Sequence, residues 1–373
     1  MLAGLLLIAL GAALYQLPPS QPSSEPSPRG GVSVEGRVLV YVNEELKASA
    51  PMNSFLRGAT PLLALGLFPT SGFRYAHINF YNENPSTWGV YLDAGTWNIQ
   101  YHYGGAASGD SVWGMYQQIT PLVFVLDGTG AKWAEIALST TPSFASNATG
   151  VLVTVTGSVA PSITEAKEVA KLRFIRPLGL YSTTGWPADA AFRLTEDVID
   201  PPVTVNPGDT LTVAYQFYFK SDQVFTENWA RAFFAWLYNV PAAKIEVTAT
   251  DGSTTYVDPY APSNTAPANN APVNSYIVVG NGSATFSRTA YKVVSEVARA
   301  EPSVQVYGGG IALSYSFIFE RDTTVTELAV YVKLRNGKEV MVFYYVLPQP
   351  VQAKAYVPFS VTFRLNLPWE DRV

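Results

Sequence analysis

The stretch TELAVYVKLR, Thr326 to Arg335, sets Leu328, Val330, Val332 and Leu334 against Glu327, Tyr331, Lys333 and Arg335. A period of two marks a β-strand with one face toward a core and the other toward solvent. A string of the same form, TEAKEVAKLR, occupies Thr164 to Arg173, with Thr-Glu and Lys-Leu-Arg in the same places. The match raises the expectation of one fold written twice.

Carried along the chain at the same offset, the match extends both ways. GVLVTVTGSVAPSITE from Gly150 falls on ALSYSFIFERDTTVTE from Ala312 without a gap. DTLTVAYQFYFK from Asp209 resembles VPFSVTFRLNL from Val357 as a closing strand. Ahead of the two strand blocks lie segments with helical spacing, NSFLRGATPLL from Asn53 and ENWARAFFAWL from Glu227. Glu168 is a misfit: it would point inward if TEAKEVAKLR kept its partner's register, and a helical shape for that segment is the alternative.

Many short alternating runs fill both copies, beginning with GRVLVYVNEEL near Gly36, and turn residues such as Asp251-Gly252 separate them. The fold class expected is all-β: two tandem β-sandwiches, of jelly-roll or Greek-key type, from an internal duplication, residues 33–222 and 223–373.

Composition narrows the function. Charged residues make up 14% of the 373, against about 25% in an average soluble protein, so Ser, Thr, Asn, Tyr and Gly, or bound partners, must cover much of the surface. A net charge of −5 offers no basic footprint, which argues against nucleic acid as a partner. The lack of Cys excludes disulfides, thiolate metal sites and cysteine nucleophiles. The two histidines, His77 and His102, share no short metal-ligand spacing. Phosphate-cradling Gly loops, zinc-helix signatures and Gly-x-Ser-x-Gly elbows do not occur. Asp93, Asp110, Asp127 and Glu135 are the candidates for a hydrolase pair, and Asp251 and Asp258 for calcium. Each reads more simply as a turn or strand-edge acid, so neither an enzyme nor a cofactor or metal site is expected.

Residues 1–17, MLAGLLLIALGAALYQL, contain no charged side chain, and Leu5, Leu6, Leu7, Ile8, Leu10 and Leu14 make the run apolar. As a helix it would be about 25 Å long, short of a hydrocarbon core of about 30 Å. It reads as a membrane anchor whose mismatch bilayer thinning absorbs; a signal peptide and a helix docked on another subunit are the alternatives. Residues 18–32 form a Pro/Ser-rich extended spacer.

Two features face outward in this reading. WNIQYHYGGAASGDSVWGMYQQ, Trp97 to Gln118, gathers Trp97, Tyr101, Tyr103, Trp113 and Tyr116 among Gly and Ser, and such aromatics either anchor partners, sugars included, or form a small core beneath a loop. Asn147 in NAT and Asn281 in NGS are N-glycosylation acceptors.

The second copy, SYIVVGNGSATFSRTAYKVVSEVA followed by GGIALSYSFIFERDTTVTELAVYVKLRNGKEVMVFYYVL, resembles virion structural proteins of phages and archaeal viruses. In these a Gly-x-Gly turn leads into a polar stretch and a Thr-x-Thr-Glu strand into a closing hairpin. The resemblance covers residues 276–367, with a fainter echo in the first copy. It implies a capsid, vertex, turret or spike component located in the virion, partnered by copies of itself and other structural subunits, and it brings no catalytic residues. The alternative is an archaeal or bacterial cell-surface adhesin, pilus or envelope-layer protein whose aromatic loop meets a carbohydrate receptor or a neighbour.

Overall fold

A computed structural model describes residues 34–52, 55–56, 68, 75–80, 88–93, 98–103, 106–111, 122–139, 141–147, 149–177, 191–220, 224–238, 245–257, 270, 272–307, 310–366 and 369–370. Val, Ile, Phe and Tyr at every second position put these residues into strands, and the chain is mostly β with antiparallel sheets.

The first sandwich uses β1 (Val34–Val42), β2 (Glu45–Pro51) and, after five intervening strands, β8 to β14. The intervening part comprises β3 (Phe55–Leu56) and a four-stranded meander of β4 (Tyr75–Phe80), β5 (Trp88–Asp93), β6 (Asn98–Tyr103) and β7 (Ala106–Ser111). The sandwich resumes with β8 (Leu122–Leu126), β9 (Lys132–Ala137), β10 (Ser143–Asn147), β11 (Gly150–Val159), β12 (Lys167–Pro177), β13 (Ala191–Val205) and β14 (Leu211–Lys220). One sheet runs β13-β12-β8-β9 and the other β10-β11-β14-β1-β2. They meet face to face: the Phe174 ring of β12 lies 5.0 Å from Tyr215 and 6.2 Å from Phe217 of β14. Gly157 of β11 permits close approach at one corner, where a Cβ would sit 2.4 Å from the Ala137 carbonyl oxygen.

The second sandwich follows helix α1 (Glu227–Tyr238) and the hairpin β15 (Ile245–Thr248) and β16 (Thr254–Val257). Its strands are β17 (Pro272–Gly280), β18 (Glu296–Ala300), β19 (Ser303–Tyr307), β20 (Gly310–Phe317), β21 (Thr323–Leu334), β22 (Glu339–Ala353) and β23 (Phe359–Asn366). The sheets are β18-β17-β21-β22 and β19-β20-β23. Strand for strand, β17 to β23 repeat the order of β8 to β14. A last short strand, β24 (Trp369–Glu370), pairs parallel with β3.

This order differs from the jelly-roll winding expected from the sequence, in which successive strands alternate between sheets. Here hairpins β8-β9, β10-β11 and β12-β13 each stay within one sheet. TEAKEVAKLR is strand in its β12 part, not helix: the ladder with β13 shifts register between Val169 and Lys171, so Val169 and Leu172 both point inward and Glu168 is exposed. The bulge removes the misfit. In the segment from Asn53, where helical spacing was expected, Phe55–Leu56 is strand. The segment from Glu227 is the helix α1. The Asp251-Gly252 turn closes β15-β16, with Gly252 at φ 83°.

Thr226 caps α1 by accepting from the Trp229 amide at Oγ1, 3.3 Å. Its hydroxyl donates in turn to the Met341 carbonyl of β22 at 2.8 Å. Buried Asn228 ties the same turn to β15, donating to the Thr248 carbonyl and accepting from its amide, both at 2.9 Å. From this anchored start the helix sends rings both ways. Phe234 and Phe233 lie 5.1 Å from Phe217 and 5.4 Å from Phe219 of the first sandwich; Trp229 lies 5.1 Å from Phe343 of the second. One apolar core therefore runs through both sandwiches.

Trp229 is fully buried, and its indole N–H has no partner among the described residues. Trp229→Ala is expected to cost about 3–5 kcal/mol in equilibrium urea unfolding. Trp229→Phe should cost less, because it deletes the unsatisfied donor together with part of the ring.

Candidate interaction tip and the strap behind it

Alternation in TELAVYVKLR implies one solvated face, yet both faces of β21 are buried. Leu328, Val330, Val332 and Leu334 enter the main core. On the opposite face Ala329 and Tyr331 join a second cluster with Val278, Val293, Met341 and Tyr344. The cover is the β17–β18 connection, residues 281–295, laid across the sheet with Phe286 stacked 6.1 Å from Tyr344.

Glu327 holds this strap at both ends. Its carboxyl group is fully buried and accepts from the Gly282 amide at 2.9 Å, the Val294 amide at 2.9 Å and the Tyr344 hydroxyl at 2.7 Å. Thr326 donates to the Gly282 carbonyl at 2.7 Å, and the Tyr331 hydroxyl accepts from the Val293 amide at 2.8 Å. A side chain at Gly282 would collide with Glu327 and Val294, 2.4 and 2.5 Å from the Cβ. The Gly-x-Gly turn and the Thr-Glu pair noted in the sequence are thus two sides of one contact. Burial pushes the Tyr331 hydroxyl up to about 12; burial and then the Glu327 hydrogen bond hold Tyr344 higher still. In the first half Thr164 and Glu165 precede β12, and Glu165 is exposed in an ion pair with Lys167.

At one end of the second sandwich the β20–β21 turn and the β22–β23 turn meet. Three apolar side chains stand out there: Ile318 is 66% exposed, Tyr356 74% and Val357 53%. Tyr356 has φ 61°, a left-handed conformation that costs a residue with a Cβ about 1–2 kcal/mol. Its amide donates to the Phe319 carbonyl at 2.8 Å. Asp322 secures the turn, accepting from Lys354 Nζ at 2.8 Å and the Ala355 amide at 2.9 Å. Behind the tip a row of rings, Tyr315, Phe317, Phe319 and Phe359, runs at spacings of 4.9, 6.2 and 6.2 Å. Nothing in the composition marks this tip; the signal in the sequence is an aromatic-aliphatic pair, Tyr356-Val357, in a tight turn where polar residues are usual.

Of the aromatic candidates, Tyr101 and Tyr103 lie on β6, opposite Val90 and Ala106, while Trp97, Trp113 and Tyr116 fall outside the described residues, as do residues 1–33 and Asp258. His77 and His102 sit on β4 and β6, Asp93 on β5 and Asp110 on β7. Asp127 closes its own turn, held below the usual carboxylate range first by the Thr129 hydroxyl and then by the Ala131 amide. Glu135 pairs with Lys132 at 3.5 Å. Asp251 is held low first by Lys338 and then by Ser253. Asn147 and Asn281 are both exposed. Among the described residues no group of three or more His, Cys, Asp or Glu is placed to hold a metal. No helix among them is long and apolar enough to cross a membrane.

Comparison with protein-family models, with curated proteins and with solved structures gave no match.

Two outcomes test the geometry. Glu327→Ala leaves two amides and a hydroxyl buried without an acceptor, and is expected to cost about 3–5 kcal/mol. Hydrogen exchange should speed up selectively at Gly282 and Val294. Lys354, then the Ala355 amide, lowers Asp322 below its ordinary value. Its contribution should be complete above the unfolded value of about 3.9 and fade as pH falls through the lower folded value. NMR titration of the Asp322 carboxyl should therefore give a midpoint below that of an unstructured peptide, and Lys354→Ala should return it toward that value.

Proposed function

We propose that this chain is a structural subunit of a virion, a capsid, vertex, turret or spike component, that works through contacts with copies of itself and with other structural subunits. The observation that carries the reading is the tip: an exposed tyrosine held in an unfavourable backbone conformation, flanked by Ile318 and Val357. Strain of this kind persists where surrounding structure imposes it, and it gathers at functional surfaces. Low charge agrees, since surface that assembly covers needs little of it. We infer further that the common strand order of the two sandwiches descends from an internal duplication. The apolar residues 1–17 would tether the subunit to a membrane or to a neighbour through the Pro/Ser-rich spacer. A second reading, a cell-surface adhesin, pilus or envelope-layer protein, is favoured by the exposure of both glycosylation acceptors, Asn147 and Asn281.

The test separates contact from stability. Tyr356→Gly relieves the left-handed strain and should leave thermal stability unchanged or raise it by up to about 1 kcal/mol, while Ile318→Ser combined with it lowers assembly by about tenfold or more in sedimentation velocity. Mass spectrometry of purified particles should find the chain at fixed stoichiometry. A full-length chain that stays monomeric at every concentration, or association indifferent to both substitutions, would count against the proposal.

A further inference from the structure

The two halves share strand order, but they end differently. In the first, the far edge of β14 is covered by β1, paired from Val34↔Phe219 to Val42↔Leu211, with β2 beyond it. In the second, β23 holds the place of β14 and is the last strand of its sheet. Among the described residues no strand pairs with its far edge. Half of its backbone amides and carbonyls face away from β20.

Open edges recruit other chains unless something blunts them. Every other edge strand of the two sandwiches is blunted. Register shifts interrupt the ladders of β2, β9, β13, β18 and β22; Pro201 and Pro202 interrupt β13 as well. Val224 and Thr226 hydrogen-bond alongside β22. β10 and β19 have 5 residues each. β23 has 8 residues, an unbroken register with β20, and neither Pro nor Lys.

We infer that the free edge of β23 pairs antiparallel with β23 of a second copy of this chain about a twofold axis, joining two three-stranded sheets into one. The inference rests on the subunit-contact reading above. What identifies a second copy as the occupant is that the edge complements itself. With Thr362 opposite the partner's Thr362, Val361 faces the partner's Phe363 and Phe359 faces the partner's Leu365. These four are the inward, buried residues of β23, so apolar meets apolar on the core face. On the outer face Arg364, the strand's one charge, falls opposite the partner's Ser360, and no like charges oppose. Such an isologous pairing closes on itself, and main-chain hydrogen bonds supply the affinity as in other strand additions.

The chain contains no Cys, so one engineered thiol reports the register. In the full-length chain Thr362→Cys places two sulfurs side by side across the axis, within the reach of a disulfide. Mild oxidation is expected to convert most of it to a covalent dimer. Ser316→Cys, on the same face but on β20, should remain uncoupled. Ser360→Arg sets Arg against the partner's Arg364 at two symmetric positions and should weaken self-association about tenfold or more; Ser360→Glu should strengthen it. Unfolding midpoints of these exposed or half-buried variants serve as folding controls. If the unmodified chain self-associates in sedimentation while Thr362→Cys does not cross-link, the edge inference is overturned and the subunit reading stands. If the unmodified chain never self-associates, both fall. Equal cross-linking of Thr362→Cys and Ser316→Cys also overturns the edge inference.

Discussion

The structure depends on what one short helix does with its aromatic side chains. A sandwich with a single-layer core has two closed faces and little reason to bind another. Here α1 sends Phe233 and Phe234 into the first sandwich and Trp229 into the second, so the two cores become one. Each ring carries 150–250 Å² of apolar surface, roughly 4–6 kcal/mol at about 25 cal/mol per Å², before the entropy of ordering is set against it. That exceeds what a polar linker could contribute. The helix start is correspondingly pinned: Thr226 and Asn228 spend their hydrogen bonds on β22 and β15, leaving the ring-bearing face no freedom to roll.

Against a shared strand order, the two halves cover their surfaces by different means. In the first, β8 and β9 are joined by a tight turn that Asp127 closes, while the other sheet gains β1 and β2. In the second, the corresponding turn is replaced by the strap 281–295, which buries the outer face of β21, and among the described residues no strands are added to β23. The buried Glu327 follows from this. A strap crossing an apolar face brings its own amides with it, and they need an acceptor; one carboxyl group that takes Gly282, Val294 and Tyr344 meets that need at a single position. Arg288 of the strap then reaches the Asn147 carbonyl of β10, so the cover of one half also touches the other.

The sequence was informative where local pattern decides shape. Alternation located the inner residues Leu328, Val330, Val332 and Leu334, helical spacing located α1, and Asp-Gly located the β15-β16 turn. It failed where tertiary contact decides. The outward face of TELAVYVKLR looked solvated because Glu327 and Tyr331 are polar, and only the strap, fifteen residues whose composition reads as a loop, makes them interior. Glu168 looked inward because periodicity cannot register a bulge. The jelly-roll expectation failed for a related reason: strand patterns say which residues face a core, whereas which sheet each strand joins is set by connection lengths and long-range pairing. The tip at Tyr356 left no periodic trace, since positive φ at a tyrosine has none; its one signal was an aromatic-aliphatic pair in a turn.

Low charge, a blunted set of edges and one open edge are connected. Natural sheets use charge on their edges to stay apart, and a chain with so few charged residues has fewer of them to place. Beside the charges its edge strands do carry, such as Glu45 and Lys47 on β2 and Lys132 and Glu135 on β9, this one uses bulges, prolines and brevity, devices that act through backbone geometry and are indifferent to salt. Where those devices are omitted, at β23, the outward side chains are Ser360, Thr362 and Arg364 and the inward ones are apolar, so the strand is already shaped as half of an interior pairing. The tip and the free edge flank the same short element: Tyr356 and Val357 immediately precede β23. A contact that engaged the edge would draw the tip toward the same neighbour, and the strain stored at Tyr356 would then serve to hold an apolar anchor beside a strand that seeks its partner.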